Sequence, residues 1–91
     1  MARDAIVTLT PGTWTQLTAD DATKMVVQNL SAADVVIRGA ASATAPTDSA
    51  GYILKSGDGL IRTMAEMWPG LTAVRVYALS EQAANVFVSH D

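Results

Sequence analysis

The sequence predicts an all-β protein, a single-domain antiparallel β-sandwich or jelly-roll-like barrel of about eight short strands. Three observations lead there. No stretch holds apolar residues at i, i+3, i+4 and i+7 for long enough to form a helix. Gly and Pro instead divide the chain into short apolar, β-branched runs at the spacing of about 8 to 12 residues expected of sandwiches and barrels. Of the 49% hydrophobic residues, 16 are Ala, which leaves 29 large apolar side chains. That supply fits one two-layer core and is too large for a disordered chain, so residues 1–91 read as one β domain.

The elements follow in order. Ala5 to Thr10 is a first strand, closed by Pro11-Gly12, whose fixed and permissive φ angles suit the central positions of a type II turn. Thr13 to Leu17 resumes the alternation, with Trp14 and Leu17 expected to face inward. After the polar turn 18–22, Lys24 to Leu30 is β-branched and too short for a globular helix. Ser31 to Asp34 is a short link to Val35–Arg38, and the two runs are expected to pair as a hairpin. Gly39 to Ala50 holds only small or polar residues and reads as one long loop. Gly51 to Lys55 returns to strand, Ser56-Gly57-Asp58-Gly59 is a turn, and Leu60 to Met64 is expected to pair back on it. Ala65 to Trp68 ends at a second type II turn candidate, Pro69-Gly70. Ala73–Leu79 and Asn85–Ser89 complete the set.

Composition narrows the function classes. There is no Cys, hence no disulfide framework, thiolate nucleophile or zinc ribbon. Met1 to Asp4 runs into Ala5-Ile6-Val7 with no sustained apolar leader, and no later stretch approaches the roughly 18 apolar residues of a membrane span, so a protein kept in solution is expected. Six basic against nine acidic residues give a net charge of −3 with the basic ones scattered, which argues against a nucleic-acid partner. No cofactor or metal site is expected: Asp20-Asp21 lacks Ca²⁺-loop spacing, and Gly57-Asp58-Gly59 lacks the Lys-Ser/Thr and helix of a phosphate loop. Ser89-His90-Asp91 holds the residue types of a hydrolytic triad, but neighbours on a strand point to alternate faces, so His90 is expected to be a solvated strand end. Glu66 is a lone carboxylate. An enzyme is not expected. Trp14 and Trp68, each beside a Pro-Gly turn, are expected to plug the ends of the core, the rival role being ligand stacking. Several strands carry large apolar residues on both faces, such as Val26 with Val27 and Val35 with Val36. That surplus points to a second burial partner.

The order of the motifs adds a resemblance. Trp14-Thr15-Gln16-Leu17-Thr18, Val27-Gln28-Asn29-Leu30, Val36-Ile37-Arg38-Gly39, the Pro-containing Ala/Thr loop, Gly57-Asp58-Gly59, Met67-Trp68-Pro69-Gly70 and Val86-Phe87-Val88-Ser89-His90 together resemble small structural proteins of tailed-bacteriophage heads. Over most of its length the chain is similar to head decoration, or cement, proteins. The resemblance implies a non-enzymatic subunit, made in the host cytoplasm, that groups as homotrimers on the capsid exterior and contacts the major capsid protein. A tail or fibre-attachment module that binds carbohydrate is the alternative. On this reading Ala2, Arg3 and Asp4, ahead of the first strand, and Ala43, Thr44, Pro46 and Thr47 of the long loop are the expected partner contacts.

Overall fold

The computed structural model describes residues 3–18, 23–40, 50–63, 68 and 75–90. Regular structure in them is all β: β1 (Arg3–Leu9), β2 (Thr15–Gln16), β3 (Lys24–Asn29), β4 (Val35–Ala40), β5 (Tyr52–Leu54), β6 (Gly59–Thr63), β7 (Arg75–Leu79) and β8 (Ala84–His90). They form two four-stranded antiparallel sheets in the orders β1-β8-β3-β6 and β2-β7-β4-β5. The pairs β1–β8, β2–β7, β3–β6 and β4–β5 are those of one long ribbon folded at the β4–β5 link. Rolling that ribbon up adds the β3–β8 and β4–β7 ladders, which is the double Greek key of a jelly roll. The sheets stay separate, so the architecture is a sandwich and no barrel closes.

Two expected hairpins are overturned by this topology. β3 and β4 lie in different sheets, and β5 pairs with β4 while β6 pairs with β3. Of the seven connections between the described strands, six cross from sheet to sheet and only β4 to β5 stays within one; that link and β6 to β7 are equally long and exceed the rest. Four or five residues span the roughly 10 Å between packed sheets as readily as they turn a hairpin, so link length did not distinguish the two. The loop expected over 39–50 does not begin at Gly39, and residues 41–49 of it lie outside the described residues. Gly39 and Ala40 belong to β4, opposite Val76 and Arg75 of β7.

The core is built from the inward residues of both sheets. Leu9, Met25, Val27, Val86 and Val88 from one sheet meet Val35, Ile37, Leu54, Val76 and Ala78 from the other, with Leu17 beside them. Trp68 is half-buried and packs against this cluster, its ring lying on the backbone of β4. A Cβ at Gly39 would fall 2.5 Å from Trp68 Cδ2, so Gly39 is what lets the indole lie there.

Polar groups hold the crossings. At the end of β3, Asn29 is fully buried. Its Nδ2 donates to Ala33 O at 2.7 Å and to Leu54 O at 3.0 Å, and its Oδ1 accepts from Ser31 N at 2.9 Å and Ser31 Oγ at 2.7 Å. One amide therefore fixes the chain where it leaves one sheet after β3 and ties it to the end of β5 in the other. The Lys55–Asp58 turn, with Gly57 at φ +82° in its third position, is bonded to the same residue through Gly57 N to Asn29 O and Asn29 N to Asp58 O. Ser80 acts similarly between β7 and β8. Its Oγ donates to Asp34 O at 3.1 Å and accepts from Gln82 N at 3.3 Å, while its carbonyl accepts from Gly12 N at 2.8 Å. The Pro11-Gly12 turn forms as expected, with Gly12 at φ +73° and Thr13 N donating to Thr10 O at 3.2 Å.

Candidate functional site

With the core closed, the outward residues of each sheet remain. The ladders of the first sheet align Asp4, Ser89, Val26 and Ile61 in one row and Ile6, Phe87, Gln28 and Gly59 in the next. Ile6, Phe87, Val26 and Ile61 thus run diagonally across all four strands. Ile6 is 66% and Ile61 59% exposed, and Phe87 and Val26 are half-buried. Cross-strand hydrogen bonds flank them: Ser89 Oγ donates to Asp4 Oδ1 at 2.5 Å and Thr8 Oγ1 to Asn85 Oδ1 at 3.0 Å.

The second sheet repeats the pattern with one row, Leu79, Val36 and Ile53, spanning β7, β4 and β5. Ile53 is 53% exposed. These three residues floor a cleft of about 430 Å³ whose rim includes Asp34, Ser80 and Glu81. Lys55 Nζ lies 3.3 Å from Asp34 Oδ2, an ion pair so exposed that it adds little to stability. A smaller hollow of about 170 Å³ opens where β1 and β2 leave the two sheets uncovered, lined by Asp4, Gln16, Thr18 and His90.

The sequence-predicted residues distribute as follows. Arg3 and Asp4 do not precede the first strand but open it, paired with His90 and Ser89 of β8. They already belong to the ladder that fixes β1. Ala2, Ala43, Thr44, Pro46 and Thr47 lie outside the described residues, as do Asp20, Asp21, Glu66, Pro69, Gly70 and Asp91. Trp14 is half-buried just ahead of β2. His90 is not a solvated end: it is 4% exposed on the inward side of β8, because β1 and β3 pair with that strand to its last residues. Ser89 stands on the opposite face, bonded to Asp4, so the serine and imidazole of the triad pattern are separated by the sheet. Among the described residues no three His, Asp or Glu side chains gather as metal ligands would. Sequence reasoning missed Asn29. Its signal was a polar residue closing an apolar strand, with Ser two positions on to satisfy its oxygen.

No family model matches this chain, and neither the curated proteins nor the solved structures contain a significant match to it.

Proposed function

We propose that the protein is a non-enzymatic structural subunit of a tailed-phage particle, a decoration protein that sits on the capsid exterior and binds the major capsid protein and further copies of itself. The observation that carries this reading is the pair of apolar outer faces. Ile6, Val26, Phe87 and Ile61 on one sheet and Val36, Leu79 and Ile53 on the other stay accessible after the core is complete, and exposed apolar rows of this kind mark surfaces that meet a partner. A sandwich apolar on both sides suits a subunit held between two surfaces, one a neighbour and one a lattice. The net charge of −3 suits an exterior seat better than one facing packaged DNA. Jelly rolls also occur in capsid and lectin domains, an analogy of fold that adds only a little. The homotrimer is the grouping the resemblance implies.

The test is to add purified protein to particles lacking it. Saturable binding at three-fold lattice positions, weakened by Ile61→Glu or Ile53→Glu, is the expected result. Absence of any particle binding would overturn the reading. Glycan binding that is lost in Trp14→Ala would move the assignment to the tail or fibre-attachment alternative.

A further inference from the structure

Among the described residues the first sheet ends in an open edge, β1. Among the described residues β1 pairs with β8 alone, over all seven of its residues, so every second backbone N–H and C=O of Arg3–Leu9 points away from the sheet. Ala5 has the inward parity of Val7 and Leu9 yet is exposed, as is Ile6 beside it, so none of the described residues covers the strand's first half. The strand's own sequence carries few of the devices that normally blunt an edge. Arg3-Asp4-Ala5-Ile6-Val7-Thr8-Leu9 has no Pro, no Lys and no bulge in its register, and its only charges are the first two residues.

We propose that this edge pairs with the β1 edge of a second copy, antiparallel and centred on Ile6, to join two first sheets into one continuous sheet of eight strands. The argument for a second copy is the strand's own charge pattern. Centring on Ile6 sets Ile6 against Ile6, Ala5 against Val7, Asp4 against Thr8 and Arg3 against Leu9, so no charge opposes a like charge. The two Asp4 carboxylates are then offset by four residues, about 14 Å along the strand, which exceeds the screening length of about 8 to 10 Å at physiological salt. The other long edge of that sheet, β6, has five residues and would leave part of β1 unpaired, and the β5 edge has three. Among the described edge strands only β1 matches β1 in length. The exposed Ile6 pair gains a cross-strand apolar contact at the centre. Self-pairing of an edge is isologous and generates a two-fold axis, so this contact is additional to the three-fold grouping proposed above and does not depend on it.

The absence of Cys makes the test clean. Ile6→Cys places two sulfur-bearing side chains directly opposite each other, within disulfide reach, whereas Thr8→Cys puts its own copies far apart and Ile61→Cys lies three strands away. Under mild oxidation Ile6→Cys should give covalent dimer at least about tenfold faster than either, since only it meets the geometric limits for the bond. A mixture of Asp4→Cys and Thr8→Cys proteins should crosslink to each other faster than either does alone. All four sites are exposed, so folding is expected to survive, and a circular dichroism spectrum matching the parent's confirms it. Equal rates for Ile6→Cys and Ile61→Cys, or no crosslink from Ile6→Cys, would overturn the proposal and leave the edge to a strand from a different protein. The virion reading, tested on particles, would be untouched by that result.

Discussion

Replacing Asn29 by Ala tests the claim that one buried amide locks the sheet crossings. The substitution removes four hydrogen bonds, at 2.7 and 3.0 Å from Nδ2 and at 2.9 and 2.7 Å to Oδ1. Ser31 is half-buried and its groups can turn partly to water, but Leu54 O is the acceptor of a buried bond and loses a donor outright. Counting full loss for the two carbonyls and partial loss for Ser31 gives about 3 kcal/mol, at about 1 kcal/mol net per bond with a surcharge for stranded buried groups. A 91-residue domain has roughly 5 to 14 kcal/mol in all, so this is a large share of its stability. Thermal unfolding followed by tryptophan fluorescence should show the midpoint fall by about 15 °C. Asn29→Asp sharpens the test. It keeps an acceptor for Ser31, loses both donors and buries a carboxylate beside the Leu54 carbonyl. Burial raises the folded-state pKa of such an acid above its unfolded value, so the cost is present above the folded pKa and shrinks as pH falls through it. The deficit relative to the parent should therefore be smaller at pH 4 than at pH 7. An Asn29→Ala loss under about 1 kcal/mol, or an Asn29→Asp deficit that ignores pH, would refute the reasoning, since either falls below the cost of stranding a buried donor or acceptor.

Gly39→Ala should cost about 1 to 3 kcal/mol, because the new methyl would stand 2.5 Å from Trp68 Cδ2 and the ring must shift. In a Trp68→Leu background that cost should largely vanish, and a double-mutant cycle showing no coupling would place the ring elsewhere. Gly12→Ala meets no atom within 4 Å, so only its φ of +73° opposes it and a loss of about 1 to 2 kcal/mol is expected, with Gly12→Asn losing less in the same urea titration. Ile61→Glu and Ile53→Glu should leave unfolding free energy within about 0.5 kcal/mol of the parent while lowering particle binding, and a stability loss larger than the binding loss would show that these side chains serve the core.

The strands were legible and their partners were not. Each of the eight described strands falls on an apolar run read from the sequence, and several of these are bounded by residues that break a ladder, such as Pro11-Gly12 and Gly57-Asp58. Pairing is a long-range property. Arg3 and His90 are matched across the whole chain, and nothing local to either records it. The two-residue β2 and the buried His90 share a cause, since both depend on what the rolled ribbon sets beside them rather than on their own neighbours. Apolar residues at consecutive positions did announce both outer faces: Val26 and Val27 point to opposite sides, the first outward and half-buried, the second wholly buried.

Magnitudes decide how those faces can work. Ile6, Ile61 and Ile53 each keep over half of their surface in water. Full burial of such a side chain contributes about 1.5 to 3 kcal/mol, so completing the burial of all three would add roughly 3 to 5 kcal/mol. Association costs about 4 to 15 kcal/mol in lost translational and rotational freedom alone. Apolar contact through these residues therefore does not hold two free molecules together tightly. It suffices only when another term supplies the rest, either the backbone hydrogen bonds of an added strand or the high effective concentration of a repeating lattice. On that arithmetic the protein should associate weakly in dilute solution and firmly on an ordered array, and sedimentation at rising concentration beside binding to intact particles would separate the two. A tight oligomer at nanomolar concentration would mean that the seam buries more than the two outer faces described here.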